Sequence, residues 1–128
     1  MGDVKMNHDE EYIKQILSQR SEHKAELNYL QAMIKINKSL TPEQNWRMQA
    51  LNEWISSVDS LLMILNEDER FIIQRHILDG IDWNRIVTEY AIKWGDENLK
   101  CRRTLIRCQK AALKKLAKGM KIISIPEV

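Results

Sequence analysis

Apolar residues in this chain recur at intervals of three and four rather than alternating in twos, the spacing that lines one side of a helix. Over residues 1–40, Ile13, Arg20, Leu27 and Ile34 fall at sevens, with Ile16, His23, Leu30 and Asn37 at the alternate seam positions. This predicts one long helix with an imperfect heptad, interrupted midway by Arg20 and His23. Thr41-Pro42-Glu43-Gln44 then reads as a stop and restart, with Thr41 as N-cap, Pro42 in the first turn and Gln44 completing a capping box. The next helix carries an unbroken stripe of Met48, Leu51, Ile55, Val58, Leu62 and Leu65, widened by Trp54 and Leu61. Joined by a short connection, the two helices are expected to fold back as an antiparallel hairpin or to pair with another chain. Trp46 and Trp54 then either cap the hairpin core or serve as interface aromatics.

A second capping box, Asn66 with Glu69, launches a helix carrying Phe71, Ile72, Ile73, His76, Ile77 and Leu78, which Asp79-Gly80 closes. Near Asp82 a short helix begins with Trp83, Ile86, Val87 and Tyr90 and runs out near Trp94-Gly95. The last helix is predicted from Asp96 to Lys118, its start signalled by Gly95, Asp96 and Glu97 and its end by lysines before Gly119. At 100° per residue, Lys100, Arg103, Arg107, Lys110 and Lys114 share one arc, opposite Cys101, Leu105, Cys108, Ala112, Leu113 and Leu116. Met120–Val128 is extended in character and is free to pack on the hairpin, pair with another chain or stay loose.

Charge sharpens this picture. The net charge of +2 conceals a partition: residues 41–79 hold three Lys/Arg against seven Asp/Glu, whereas residues 96–128 hold nine against three. A basic segment on a near-neutral chain points to a local polyanion-binding surface. The two cysteines, Cys101 and Cys108, sit two turns apart on one predicted helix, where a bridge is geometrically disfavoured, and are expected as small buried hydrophobes of a reducing compartment. No signal peptide, membrane span or lipidation motif is visible, so a cytoplasmic location without membrane contact is expected.

The expected fold is all-α: an N-terminal antiparallel helical hairpin (1–64) for oligomerisation or partner binding, a three-helix DNA-binding module (65–119) and a C-terminal tail (120–128). Helix, turn with Gly80, short helix, turn with Gly95 and basic helix, in that order, make a helix-turn-helix. Leu65 to Gly80, then Asp82-Trp83-Asn84-Arg85-Ile86-Val87, then Arg102 to Arg107 and Lys110 to Leu116 resemble the DNA-binding region four of sigma-70-type sigma factors. They are more similar still to the small phage and prophage late-gene activators of the ArpU and RinA type that share that module. The resemblance covers residues 65–118 and implies a sequence-specific, promoter-proximal activator with RNA polymerase as partner. One departure is the stretch Tyr90–Cys101, several residues longer than the family's turn. Either the second helix is extended, or the recognition helix carries an extra N-terminal turn.

Docked as other helix-turn-helix proteins are, the last helix would place Lys100, Arg103 and Arg107 in the major groove, with Asn98 and Thr104 as secondary readers. Arg102, Lys110, Lys114 and Arg85 are the candidate phosphate contacts. Plain solvation competes with this reading for Lys114, Lys115 and Lys118. Double-stranded DNA is thus the expected partner, with homo-oligomerisation through the N-terminal helices. The alternatives are a protein-interaction module docking on polymerase or another acidic partner, and a terminase-like DNA-packaging component. An enzyme is not expected, for no Ser, Cys or His sits in a nucleophile arrangement and no glycine-rich phosphate loop exists. No cofactor or metal is implied: His8, His23 and His76 share no ligand spacing, and His23 reads as a helix-rim histidine.

Overall fold

The computed structural model describes residues 2–37, 39–95 and 100–128. Within them the regular structure is all helical: α1 (Gly2–Ser18), α2 (Arg20–Asn37), α3 (Pro42–Leu62), α4 (Glu67–Ile72) continued by a π-helical segment (Ile73–Leu78), α5 (Trp83–Trp94) and α6 (Arg102–Gly119). No helix among the described residues is long and apolar enough to cross a membrane.

Residues 1–40 do not form the single helix their heptad predicts. The chain breaks at Gln19, whose N–H donates to the Ile16 carbonyl at 3.2 Å while its own carbonyl accepts from the His23 N–H at 3.0 Å. Gln19 thereby ends one helix and opens the next. The break falls where Arg20 and His23 interrupt the seam, and it lets the two halves take different partners. Ile13, Ile16 and Leu17 turn α1 onto α6 and the π-helical segment, while Leu27 and Leu30 turn α2 onto α3. Arg20 pins the junction, its guanidinium bonding the Asp59 carboxylate on α3 at 3.0 and 3.4 Å.

α3 starts as its sequence dictates. The Gln44 N–H donates to the Thr41 hydroxyl and the Thr41 N–H to the Gln44 side-chain oxygen, with Pro42 in the first turn. Its stripe of Leu51, Trp54, Ile55, Val58, Leu61 and Leu62 is buried. Trp54 belongs to this core, with the His23 ring edge-on at 4.5 Å, whereas Trp46 stays 80 % exposed.

Asn66 and Glu69 form the second reciprocal cap and launch α4. From Ile73 the helix widens to the π form, and the Asp79 N–H reaches back five residues to the Gln74 carbonyl at 2.8 Å. Gly80, at φ 69°, makes the left-handed turn, and Asp82 caps α5 by accepting from the Arg85 N–H at 2.9 Å. Gly95, at φ 91°, closes α5 rather than opening the last helix.

One large core runs from Ile13 and Leu17 through Leu51, Val58 and Leu61 to Leu113 and Leu116. A smaller one gathers Ile72, Ile86, Tyr90 and Leu105, with Phe71, Trp83 and Trp94 around them. α6 contributes to both, since its inner side presents Leu105 to the small core and Ala112, Leu113 and Leu116 to the large one. The tail packs back on the molecule: Ile123 and Ile125 join the large core, and residues 125–128 border an open groove with Tyr12, His23 and Trp54.

Candidate nucleic-acid interface

The basic helix begins later than its sequence signals. α6 starts at Arg102 with Cys101 in the N-cap position; Asp96, Glu97 and Asn98, the expected acidic start and one candidate reader, lie outside the described residues. Three differences follow. Lys100 stands before the helix and not in its arc. Cys101 is exposed rather than buried, and only Cys108 is partly covered. Gln109, not a cysteine, fills the inner position between Leu105 and Leu113.

From Arg102 onward the periodicity holds. Arg102, Arg103, Arg107, Lys110, Lys114, Lys115 and Lys118 are all exposed, and α6 contains no acidic residue. Arg103, Arg107, Lys110, Lys114 and Lys118 follow each other at four, three, four and four residues, a row about 22 Å long at 1.5 Å per residue. Among the described residues none of these five, nor Arg102, forms an ion pair. Mutually repelling charges held on one side of a rigid rod, with no compensating carboxylate, form a field that a polyanion would neutralise. Thr104, half-buried, turns its hydroxyl to the Cys101 thiol at 3.3 Å.

The other cations of the region are engaged. Lys115 bonds the buried Glu69 carboxylate at 2.8 Å, tying α6 to the cap of α4. Arg75 is clasped between Glu89 and Asp79, at 2.8 Å from each, so its pKa is held well above the ordinary guanidinium value. Glu89, whose own pKa is lowered chiefly by that Arg75 hydrogen bond, also meets Arg85 at 3.4 Å. Arg85 is therefore exposed but loosely tethered, unlike the row on α6.

What braces α6 is a set of partly buried polar and aromatic contacts. His76, in the π-helical segment, donates from Nδ1 to the Gln109 side-chain oxygen at 2.7 Å and stacks on Trp83 with ring centres 4.0 Å apart. One histidine thus joins the π-helical segment, α5 and α6. Phe71, Tyr90 and Trp94 pack as an aromatic trio, with Lys93 over two of the rings and the Lys100 ammonium 5.4 Å from the centre of Tyr90. Periodicity could assign these residues to a core, but not pair them across helices.

Comparison with known protein families, with curated proteins and with solved structures returned no match.

Proposed function

We propose that this chain is a sequence-specific duplex-DNA-binding regulator of transcription, with α6 as its recognition helix. In this reading α4 with its π-helical continuation, α5 and α6 work as a helix-turn-helix, and the paired α2 and α3 form the N-terminal hairpin arm. The observation that carries it is the exposed row Arg103, Arg107, Lys110, Lys114 and Lys118, with no ion pair among the described residues, while nearby Arg75 and Lys115 are neutralised within the protein. A basic face that served only solubility would gain stability from counter-charges, and this one has none on its helix. Arg103 and Arg107, in the first half of α6, are the base readers by virtue of the guanidinium fork, with Thr104 beside them. Arg102, Lys110 and Lys114 take phosphates, and Arg85 joins them from α5 once released from Glu89.

The likeness of residues 65–118 to sigma region four and to the ArpU and RinA type of phage activators adds a promoter-proximal role with RNA polymerase as partner. Exposed Trp46, Tyr29 and Ile36 on the arm support self-association through the N-terminal helices.

The test is fluorescence anisotropy with a labelled mixed-sequence duplex between about 50 and 200 mM salt. Four phosphate contacts, from Arg102, Lys110, Lys114 and Arg85, predict that log K falls with log salt at a slope of about −3.6. Binding that is absent, or indifferent to salt, overturns the reading.

A further inference from the structure

α2 is apolar on two opposite sides, and only one of them is covered. Leu27 and Leu30 are buried toward α3, with Ile34 half-buried beside them. On the far side Ala25, Tyr29, Ala32 and Ile36 follow at four, three and four residues, the spacing of a packed helix seam. All four are exposed, Tyr29 by 63 % and Ile36 by 78 %. We infer that this outer seam is the interface with a second copy of this chain, whose own α2 lies antiparallel against it about a two-fold axis at the level of Leu30 and Gln31. Such pairing takes up the self-association read from the exposed arm and gives it a definite face; it does not depend on whether α6 reads DNA.

Shape selects a second copy as the occupant. In the antiparallel register Tyr29 of one copy meets Ala32 of the other, and Ile36 meets Ala25. Each large residue falls against a small one, and the symmetry makes every contact twice. Parallel pairing would set Tyr29 on Tyr29 and leave gaps between the alanines.

Area points the same way. The chain exposes 8547 Å², about 1,400 Å² more than the roughly 7,100 Å² of a compact monomer of 15.1 kDa. A stable pair needs about 800 Å² from each partner. The outer half of the arm offers such surface, since none of residues 31–37 and 42–50 is fully buried. A helix tip without a packed side gains little from its own hydrogen bonds. In the antiparallel pair the tip of each arm rests on the base of the other. There Ala25, Asn28 and Leu78 border an open groove of about 300 Å³ between α2 and the π-helical segment.

Charge is also complementary. Lys24 is exposed and has no ion pair among the described residues. The antiparallel register brings it level with Asn37 of the other copy, at the end of α2, where unpaired carbonyls carry partial negative charge.

The experiment is light scattering on the full chain from micromolar to submillimolar concentration, beside Ala32→Glu and Trp46→Glu. The pair predicts twice 15.1 kDa for the wild type and for Trp46→Glu, whose exposed ring lies on α3 outside the seam. Ala32→Glu sets a carboxylate against Tyr29 of the other copy and weakens the pair at least about thirtyfold. Its circular dichroism stays that of the wild type, because position 32 is exposed in the single chain. Register is read by oxidative cross-linking in a Cys101→Ser, Cys108→Ser background. Ala25→Cys mixed with Ile36→Cys gives a disulfide-linked heterodimer. Ile36→Cys alone does not, since its two copies lie roughly 16 Å apart along the axis. A wild type of 15.1 kDa throughout overturns the proposal and leaves the seam to a different protein. An undiminished dimer in Ala32→Glu, or dissociation by Trp46→Glu, overturns it by placing the interface elsewhere. Self-linking of Ile36→Cys overturns the antiparallel register. Duplex binding measured on the same samples keeps these outcomes separate from the fate of the α6 reading.

Discussion

Lys115 on α6 and Glu69 at the start of α4 meet at 2.8 Å, and the same carboxylate oxygen accepts the Asn66 N–H at 3.0 Å. One buried carboxylate thus completes a helix cap and anchors the basic helix to it. Glu69→Ala removes the cap partner and frees the Asn66 N–H of its acceptor, with an expected loss of about 1 kcal/mol in urea unfolding. Lys115→Ala removes only a half-exposed ammonium and is expected to cost under about 1 kcal/mol.

The same pairing divides the lysines of α6. Lys115 is already neutralised, so Lys115→Ala should leave the salt slope of DNA binding unchanged. Lys114→Ala, beside it in sequence but unpaired, should reduce that slope by about one unit. Equal slopes for the two variants would count against the ridge as the phosphate-binding face.

Arg103→Ala is expected to cost about 1–3 kcal/mol at a selected duplex and to relax base preference at one position. Lys110→Ala is expected to weaken selected and mixed duplexes alike. Anisotropy titrations of both variants on both duplexes separate base reading from phosphate binding.

Glu89 gives the fold a defined acid sensitivity. Its hydrogen bond from Arg75 lowers the folded-state pKa below the ordinary 4.5, so the unfolded chain takes up a proton first as pH falls. The stabilisation is therefore complete above about pH 4.5 and is lost as pH drops through the lower folded value. Glu89→Gln should flatten the stability profile below about pH 4.5 while lowering stability at neutral pH, as thermal melts across pH 2–7 would show.

Cys101 and Cys108 are expected to differ in reactivity. A hydrogen bond from the Thr104 hydroxyl, helped by backbone N–H groups, lowers the Cys101 thiol pKa, and the residue is exposed; burial raises that of Cys108. Iodoacetamide near neutral pH should alkylate Cys101 first, and Thr104→Val should slow it, as intact-mass and peptide mapping would reveal.

Much of the helical frame is written locally. Thr41 with Gln44 and Asn66 with Glu69 name their helix starts because a cap is settled within four residues, and Gly80 marks its turn because only glycine takes that φ cheaply. The outward row from Arg103 to Lys114 was likewise legible, since periodicity alone sorts a helix into inner and outer sides. The break at Gln19 was not, because no proline or glycine marks it and its cause is that α1 and α2 face different partners. Nor was the start of α6 at Arg102, where Gly95, Asp96 and Glu97 offer a plausible earlier start. The pairings Glu69–Lys115 and His76–Gln109 join residues distant along the chain, and spacing carries no information about which helices meet.

The large core, in which Ile13 and Leu17 share cover with Leu113 and Leu116, has a practical consequence. A fragment cut at residue 65 would strip the cover from the inner side of α6 and turn Ala112, Leu113 and Leu116 to water. Such a truncation should aggregate or melt, and the amino-terminal half is accordingly a wall that α6 cannot stand without.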